Sequence, residues 1–167
     1  RVYDISFGVT GVAFALLFAL HGTGIVVGQL INRRLIPVLG TVPAMLVANA
    51  VLILSAALML TFTLAGLINA YLMSALLVLF ATGYLVVFSN ASALVLDPHG
   101  DIAGFAAAVL GVASQIGAAM IVSGLVVIAG GSALAYTTVL LCVCSATFVL
   151  ILWWYLRHRH AKLKDLV

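Results

Sequence analysis

The sequence contains no glutamate and few charged residues of any kind. Its four acidic residues are all Asp, Lys and Arg together number seven, and charged residues make up 7% of the 167 residues. A soluble domain carries about a quarter charged residues, so this chain cannot cover a water-exposed surface. The formal net charge is +3, but nucleic-acid binding needs a dense basic patch. We therefore expect no nucleic-acid partner.

Reactive side chains are not grouped, so nothing in the sequence predicts an enzyme. Cys142 and Cys144 lie two residues apart in an apolar run. On a helix such residues point in different directions and cannot jointly bind a metal or form a disulfide. The four histidines lack the spacing of a zinc site, and no glycine-rich phosphate-binding loop is present. We expect no catalytic residue, no metal and no cofactor.

Apolar residues, in contrast, are abundant, since they make up 66% of the chain. They form five runs that each reach the roughly 20 residues needed to cross a bilayer as a helix. The sequence therefore predicts an all-α membrane protein with about five transmembrane helices, in contact with the lipid bilayer. Residues 1–8 are expected to form an interfacial loop. The predicted spans are residues 9–31, 37–62, 67–96, 101–130 and 134–156, followed by a basic tail at 157–167.

The distribution of basic residues predicts the orientation of the chain. With five alternating spans, the Arg33/Arg34 turn, the loop from Asp97 to Asp101 and the tail lie on one side of the membrane. That side holds six of the seven Lys and Arg residues. Because basic loops stay in the cytoplasm, we expect the C-terminus to be cytoplasmic.

Small residues recur at helical spacing in the first and fourth runs. Such residues let membrane helices approach each other closely. In the first run Gly24 and Gly28 form a G-x-x-x-G pair, for which self-dimerisation is an alternative to general packing. We interpret as helix-packing positions Gly24, Gly28, Gly104, Ala108, Gly111 and Gly117.

Two stretches resemble a known family of carriers. Between Phe88 and Gly111 the chain reads S-N-A-x-A-L, then D-P-H-G-D-I-A-G, then A-x-x-L-G. This resembles the boundary between the tenth and eleventh helices of major facilitator superfamily drug:proton antiporters, closest to the Bcr/CflA (bicyclomycin-resistance) branch, which usually has proline where Ser89 stands. The residues Gly28, Asn32, Arg33 and Arg34 are similar to the superfamily's loop motif G-x-x-x-D-R-x-G-R-R, with Asn32 in place of the acid. A simple positive-inside loop is the alternative interpretation.

The resemblance implies a fold and a function. The chain would be a partial C-terminal six-helix bundle, helices eight to twelve of a twelve-helix carrier, with an N-terminal half missing. The carrier would export small amphipathic drug-like compounds from a bacterium across its inner membrane. It would do so by proton antiport and alternating access. Because no acid lies in the interior of a predicted span, the proton-coupling acid is expected in the missing half.

A few polar side chains fall inside the predicted spans and are candidates for a substrate cavity. His21 is the only ionisable one at mid-depth, and such groups are functional candidates by default. Related carriers commonly have asparagine at its position, so a purely structural hydrogen bond is the alternative. Hydrogen bonding between helices is equally an alternative for the others. The candidates are His21, Asn49, Tyr84, Asn90 and Gln115.

Two other functions stay open at this point. One is a carrier of the same superfamily that moves a nutrient or metabolite. The other is a small, non-transporting membrane protein that acts through interaction with partners. The upstream coding sequence would separate these alternatives.

Overall fold

The computed structural model describes residues 2–130 and 132–164, with side-chain surroundings for all of these except 125, 126, 128, 129 and 159–164. Within that part the backbone forms helices joined by short turns, with no strand. A 3₁₀ turn, Asp97–Ile102, joins the fourth helix to the fifth. The helices are α1 (Val2–Phe7), α2 (Gly11–Leu39), α3 (Thr41–Leu64), α4 (Ala70–Leu96), α5 (Ala103–Ala129) and α6 (Ala133–Lys164).

Four continuous helical stretches of the described chain are long and apolar enough to cross a membrane: Gly11–Leu39, Thr41–Leu64, Ala70–Gly124 and Ala133–His158. The third contains α4, the 3₁₀ turn and most of α5, so five long helices lie within the four stretches. Large apolar side chains point outward, as Val12 (77% exposed) and Phe105 (71% exposed) do. An extensive apolar exterior is unfavourable in water and suited to lipid. The prediction of an all-α membrane protein is confirmed at this level.

The prediction of a loop around Arg33 and Arg34 is wrong, because α2 continues through both residues and through Pro37 to Leu39. The prediction ended the span where the apolar run ends. Backbone hydrogen bonding does not stop there, since arginine is a good helix former. Only Gly40, with φ of 82°, separates α2 from α3. The second span therefore begins at Thr41 and not near Pro37.

The other boundaries differ less. Residues Val2–Phe7, predicted as loop, form a helix. The basic segment at 157–164 continues α6 as helix, and residues 165–167 of the predicted tail lie outside the described residues. Asn69 begins α4 as its N-cap, since its Oδ1 accepts a hydrogen bond from the Leu72 N–H at 2.9 Å. The charged break occurs where it was predicted, with His99 outside helical geometry at φ −118° and ψ 31°.

Helix α4 is the centre of the bundle. It packs against α2 and against α3, and α6 covers α3. Along α2 and α4, Gly28 lies against Thr82 and Asn32 against Asn90, so the two helices run in parallel. Ser55 of α3 bonds the Leu76 carbonyl of α4, whereas the earlier residue Ala48 faces the later residue Gly83, so α3 runs antiparallel. The charged ends of α2 and α4 thus lie at one end of the bundle, and its assignment to the cytoplasm stays a prediction.

Helix α5 stands apart from this packing. It contacts α4 and α6 only sparsely, and none of its described side chains is buried. The helix with the richest small-residue pattern is therefore the one with the least covered surface.

Candidate functional site

A buried polar junction joins α2 to α4 near the charged end of the bundle. Asn32 and Asn90 are 7% and 3% exposed. The Asn90 amide donates to Oδ1 of Asn32 at 2.7 Å and to the Val86 carbonyl at 2.8 Å. The Asn32 amide donates in turn to the Ser89 hydroxyl at 3.1 Å. Bonded amides of this kind fix the register of two helices in an apolar environment, where an unmade hydrogen bond is costly.

Two glycines of α2 bring the backbones close enough for this junction to form. A Cβ on Gly24 would collide with the Val78 carbonyl oxygen, and one on Gly28 would lie 2.6 Å from the Thr82 carbonyl oxygen. Both distances are too short for any side chain. The G-x-x-x-G pair is therefore a packing surface inside this chain, on the same face of α2 as Asn32.

His21 lies in an aromatic cleft toward the opposite end of the bundle. Its Nδ1 is 2.9 Å from the Phe18 carbonyl oxygen, and its ring centre is 5.5 Å from that of Phe18. The cleft has a volume of about 290 Å³ and receives residues from α1, α2, α4 and α6. Its lining residues are Val2, Tyr3, Phe14, Phe18, His21, Met73, Leu77 and Tyr136.

Tyr3 lines this cleft and bonds a residue of α4. Its hydroxyl lies 2.6 Å from the Ser74 hydroxyl, and its ring meets Phe14 edge to face at 5.6 Å between centres. Burial raises the pKa of Tyr3, while the hydrogen bond with Ser74 acts in the opposite direction. The phenol is therefore protonated at neutral pH, and the described lining also contains the imidazole of His21.

Asn49 of α3 is a second buried amide with a different environment. It is 0% exposed, and neither Nδ2 nor Oδ1 has a hydrogen-bond partner. Transfer of an amide into an apolar interior without a partner is unfavourable by about 1–3 kcal/mol in protein mutational data. Asn49 therefore weakens the bundle unless something bonds it.

The structure does not bring the five predicted cavity residues together. Tyr84 is 48% exposed on α4 and stacks on Phe88 of the same helix, with ring centres 5.7 Å apart. Gln115 is exposed on α5. His21 lies in the aromatic cleft, Asn90 in the α2–α4 junction and Asn49 inside α3. A single polar cavity formed by all five is not present among the described residues.

The other predicted packing positions do not press against a neighbouring helix in the described part of the chain. A Cβ on Gly104, Gly111 or Gly117 would meet nothing within 4 Å, and Ala108 is exposed. The loop-motif residues Arg33 and Arg34 are exposed on the last turns of α2. They form no ion pair with any described side chain.

Sequence reasoning missed several residues of the cleft. Tyr3 was assigned to an interfacial loop, and Tyr136 drew no attention in an apolar run. The available signal was the presence of each tyrosine in or beside an apolar region, because such a tyrosine usually finds a partner for its hydroxyl. Among the described residues, no three His, Cys, Asp or Glu side chains are close enough to hold a metal ion.

Comparison with known proteins gives no identification. No protein-family model matches the chain, and neither a curated protein nor a solved structure is significantly similar to it.

Proposed function

We propose that the chain is part of a multidrug efflux carrier of the Bcr/CflA type in a bacterial inner membrane. It would export small amphipathic compounds in exchange for protons. The observation that carries the proposal is the aromatic cleft around His21, which receives residues from four helices and combines apolar walls with one imidazole and two phenols. Ligand sites for drug-like molecules are concave and mostly apolar, with few polar groups.

Two features of the bundle support a carrier. The α2–α4 junction and the Gly24/Gly28 contact form a tightly packed unit, whereas α5 is left almost uncovered. In carriers of this superfamily the substrate site lies between two helical halves that rock against each other. An uncovered helix next to a rigid unit suits the second half of such a carrier, with the coupling acid supplied by the other half.

The test is export of an amphipathic fluorescent cation, such as ethidium, from cells that produce the full-length protein. We expect lower steady-state accumulation than in cells without the protein. We also expect this difference to vanish when the proton gradient is collapsed. Equal accumulation in both cell types, with the protein present in the membrane, would contradict drug efflux.

Two histidines offer a matched pair of variants for this assay. The imidazole of His99 also bonds a helix carbonyl, that of Val95 at 3.1 Å, but it lies outside the cleft. We expect His21→Leu to lower the export rate about fivefold, the effect of one lost hydrogen bond. We expect His99→Leu to leave the export rate unchanged. Unchanged transport in both variants would remove His21 from the mechanism.

A nutrient or metabolite carrier is the alternative that the same cells can test. Proton-dependent uptake of a nutrient, without drug export, would favour it. A non-transporting interaction protein would show neither activity.

A further inference from the structure

A hollow on the outer surface of α2 combines an apolar floor with two arginines. It has a volume of about 460 Å³, and the described residues that line it are Val27, Leu30, Ile31, Arg33 and Arg34. Val27, Leu30, Ile31 and Arg34 follow the spacing i, i+3, i+4 and i+7, which places them on one face of the helix. This face is distinct from the Gly24, Gly28 and Asn32 face that packs against α4.

The floor of this hollow is exposed to the surroundings of the bundle. Val27, Leu30 and Ile31 are 45%, 61% and 43% exposed. The apolar part of α2 before Arg33 has about the length of a hydrocarbon core. The floor therefore lies beside lipid tails, and the guanidinium groups lie at the level of the lipid headgroups.

The two arginines lack an anionic partner in the described part of the chain. Neither forms an ion pair there, and both are exposed. Guanidinium groups bind phosphate through paired hydrogen bonds. A ligand with a negatively charged phosphate and an apolar chain would satisfy both parts of the hollow at once.

We propose that this hollow is a binding site for an anionic phospholipid. Arg33 and Arg34 bind the phosphodiester headgroup, and an acyl chain lies along Val27, Leu30 and Ile31. The site does not depend on the transport proposal. It requires only that α2 crosses a bilayer that contains anionic lipid.

The test measures lipid selectivity of the full-length protein in phosphatidylcholine vesicles. Spin-labelled phosphatidylglycerol and spin-labelled phosphatidylcholine report the fraction of each lipid immobilised at the protein. We expect preference for phosphatidylglycerol, and we expect R33Q/R34Q to lower that preference about thirtyfold, since each basic residue near a membrane surface contributes on the order of 1 kcal/mol. Added inorganic phosphate should not displace the spin-labelled phosphatidylglycerol, because the acyl chain of the lipid also contributes to binding.

Arg157 provides the matched control for a general effect of charge. It is exposed near the C-terminal end of α6, where its guanidinium carbon lies 5.4 Å from the Trp153 ring centre. R157Q removes the same charge as R34Q, and we expect R34Q to reduce the preference about threefold more than R157Q does, because only Arg34 adjoins a floor for the acyl chain. Equal reductions by the two variants, or displacement of the lipid by inorganic phosphate, would overturn the proposal.

A second pair of variants tests the floor without changing charge. Leu30→Trp fills the hollow, whereas Val12→Trp adds the same side chain to another exposed position of α2, 77% exposed in the structure. We expect only Leu30→Trp to reduce immobilisation of phosphatidylglycerol. An equal response to both substitutions would contradict a defined acyl-chain site, even if the arginine variants insert poorly into membranes.

Discussion

Helices α2 and α5 carry similar small-residue patterns but differ in what those residues contact. Gly24 and Gly28 of α2 press against backbone carbonyls of α4. At Gly111 and Gly117 of α5, an added Cβ would have no neighbouring atom within 4 Å. Small residues permit close approach of helices, but the approach also needs a complementary partner with polar or apolar groups in register. Helix α2 has that partner in α4, where Asn90 bonds Asn32.

The largest expected difference comes from replacing glycine by alanine in the two helices. Gly24→Ala and Gly28→Ala force a methyl group against α4, and we expect them to lower the free energy of unfolding by about 1–3 kcal/mol. Gly111→Ala and Gly117→Ala meet nothing, and we expect them to be neutral or to raise stability by up to about 1 kcal/mol through helix propensity. Unfolding of the detergent-solubilised protein by SDS measures all four.

The same experiment can also contradict the difference between α2 and α5. If Gly111→Ala destabilises the protein as much as Gly28→Ala, then α5 is covered by a partner in the folded protein, and its exposed face is not a lipid-facing surface.

A smaller difference is expected between polar residues of the two regions. Asn90→Leu leaves the side-chain Oδ1 of Asn32 without its 2.7 Å donor. We expect a loss of about 0.6–1.7 kcal/mol, the range measured for hydrogen bonds between membrane helices. Gln115→Leu on α5 removes an exposed amide and should cost nothing. The measurement is again SDS unfolding. Equal losses for the two variants would show that Gln115 also bonds a neighbouring helix.

Asn49 is expected to respond in the opposite direction from Asn90. Because both of its amide atoms are buried without a partner, Asn49→Leu should raise the free energy of unfolding, by about 1 kcal/mol. Thermal unfolding followed by circular dichroism checks the sign. A loss of stability would mean that Asn49 bonds a group inside the bundle, such as a buried water molecule.

The smallest effect is expected from Ser89. Its hydroxyl accepts from Asn32 at 3.1 Å, so Ser89→Ala should cost a few tenths of a kcal/mol to about 0.6 kcal/mol, less than Asn90→Leu. The double variant Asn32→Ala/Ser89→Ala completes a double-mutant cycle, which gives the size of the interaction. If it loses no more stability than Asn32→Ala alone, the effect of Ser89 acts entirely through Asn32. Fully additive losses would contradict the bond.

The fold class was predictable from sequence because length and hydropathy alone determine which segments suit a bilayer. The charged break near His99 was predictable for the same reason, since Asp97 and Asp101 cannot lie in hydrocarbon. The end of α2 was not, because arginines mark a membrane boundary without ending a helix.

The contacts of individual side chains were not predictable from sequence spacing. Gly28 and Gly111 look alike in sequence, and only the position of α4 distinguishes them. Asn49 and Asn90 are both amides in apolar runs, but the partner of Asn90 lies 58 residues away along the chain. Tyr3 was missed because its contact with Ser74 depends on α1 folding back over the bundle.

The connection between α2 and α3 consists of Gly40 alone. Helices of 29 and 24 residues therefore meet at a single residue with a positive φ of 82°. A displacement of the C-terminal end of α2 cannot be absorbed by slack in a linker and must move the first turn of α3 with it. Movement at Arg33 and Arg34 is thereby conveyed to the helix that carries Asn49.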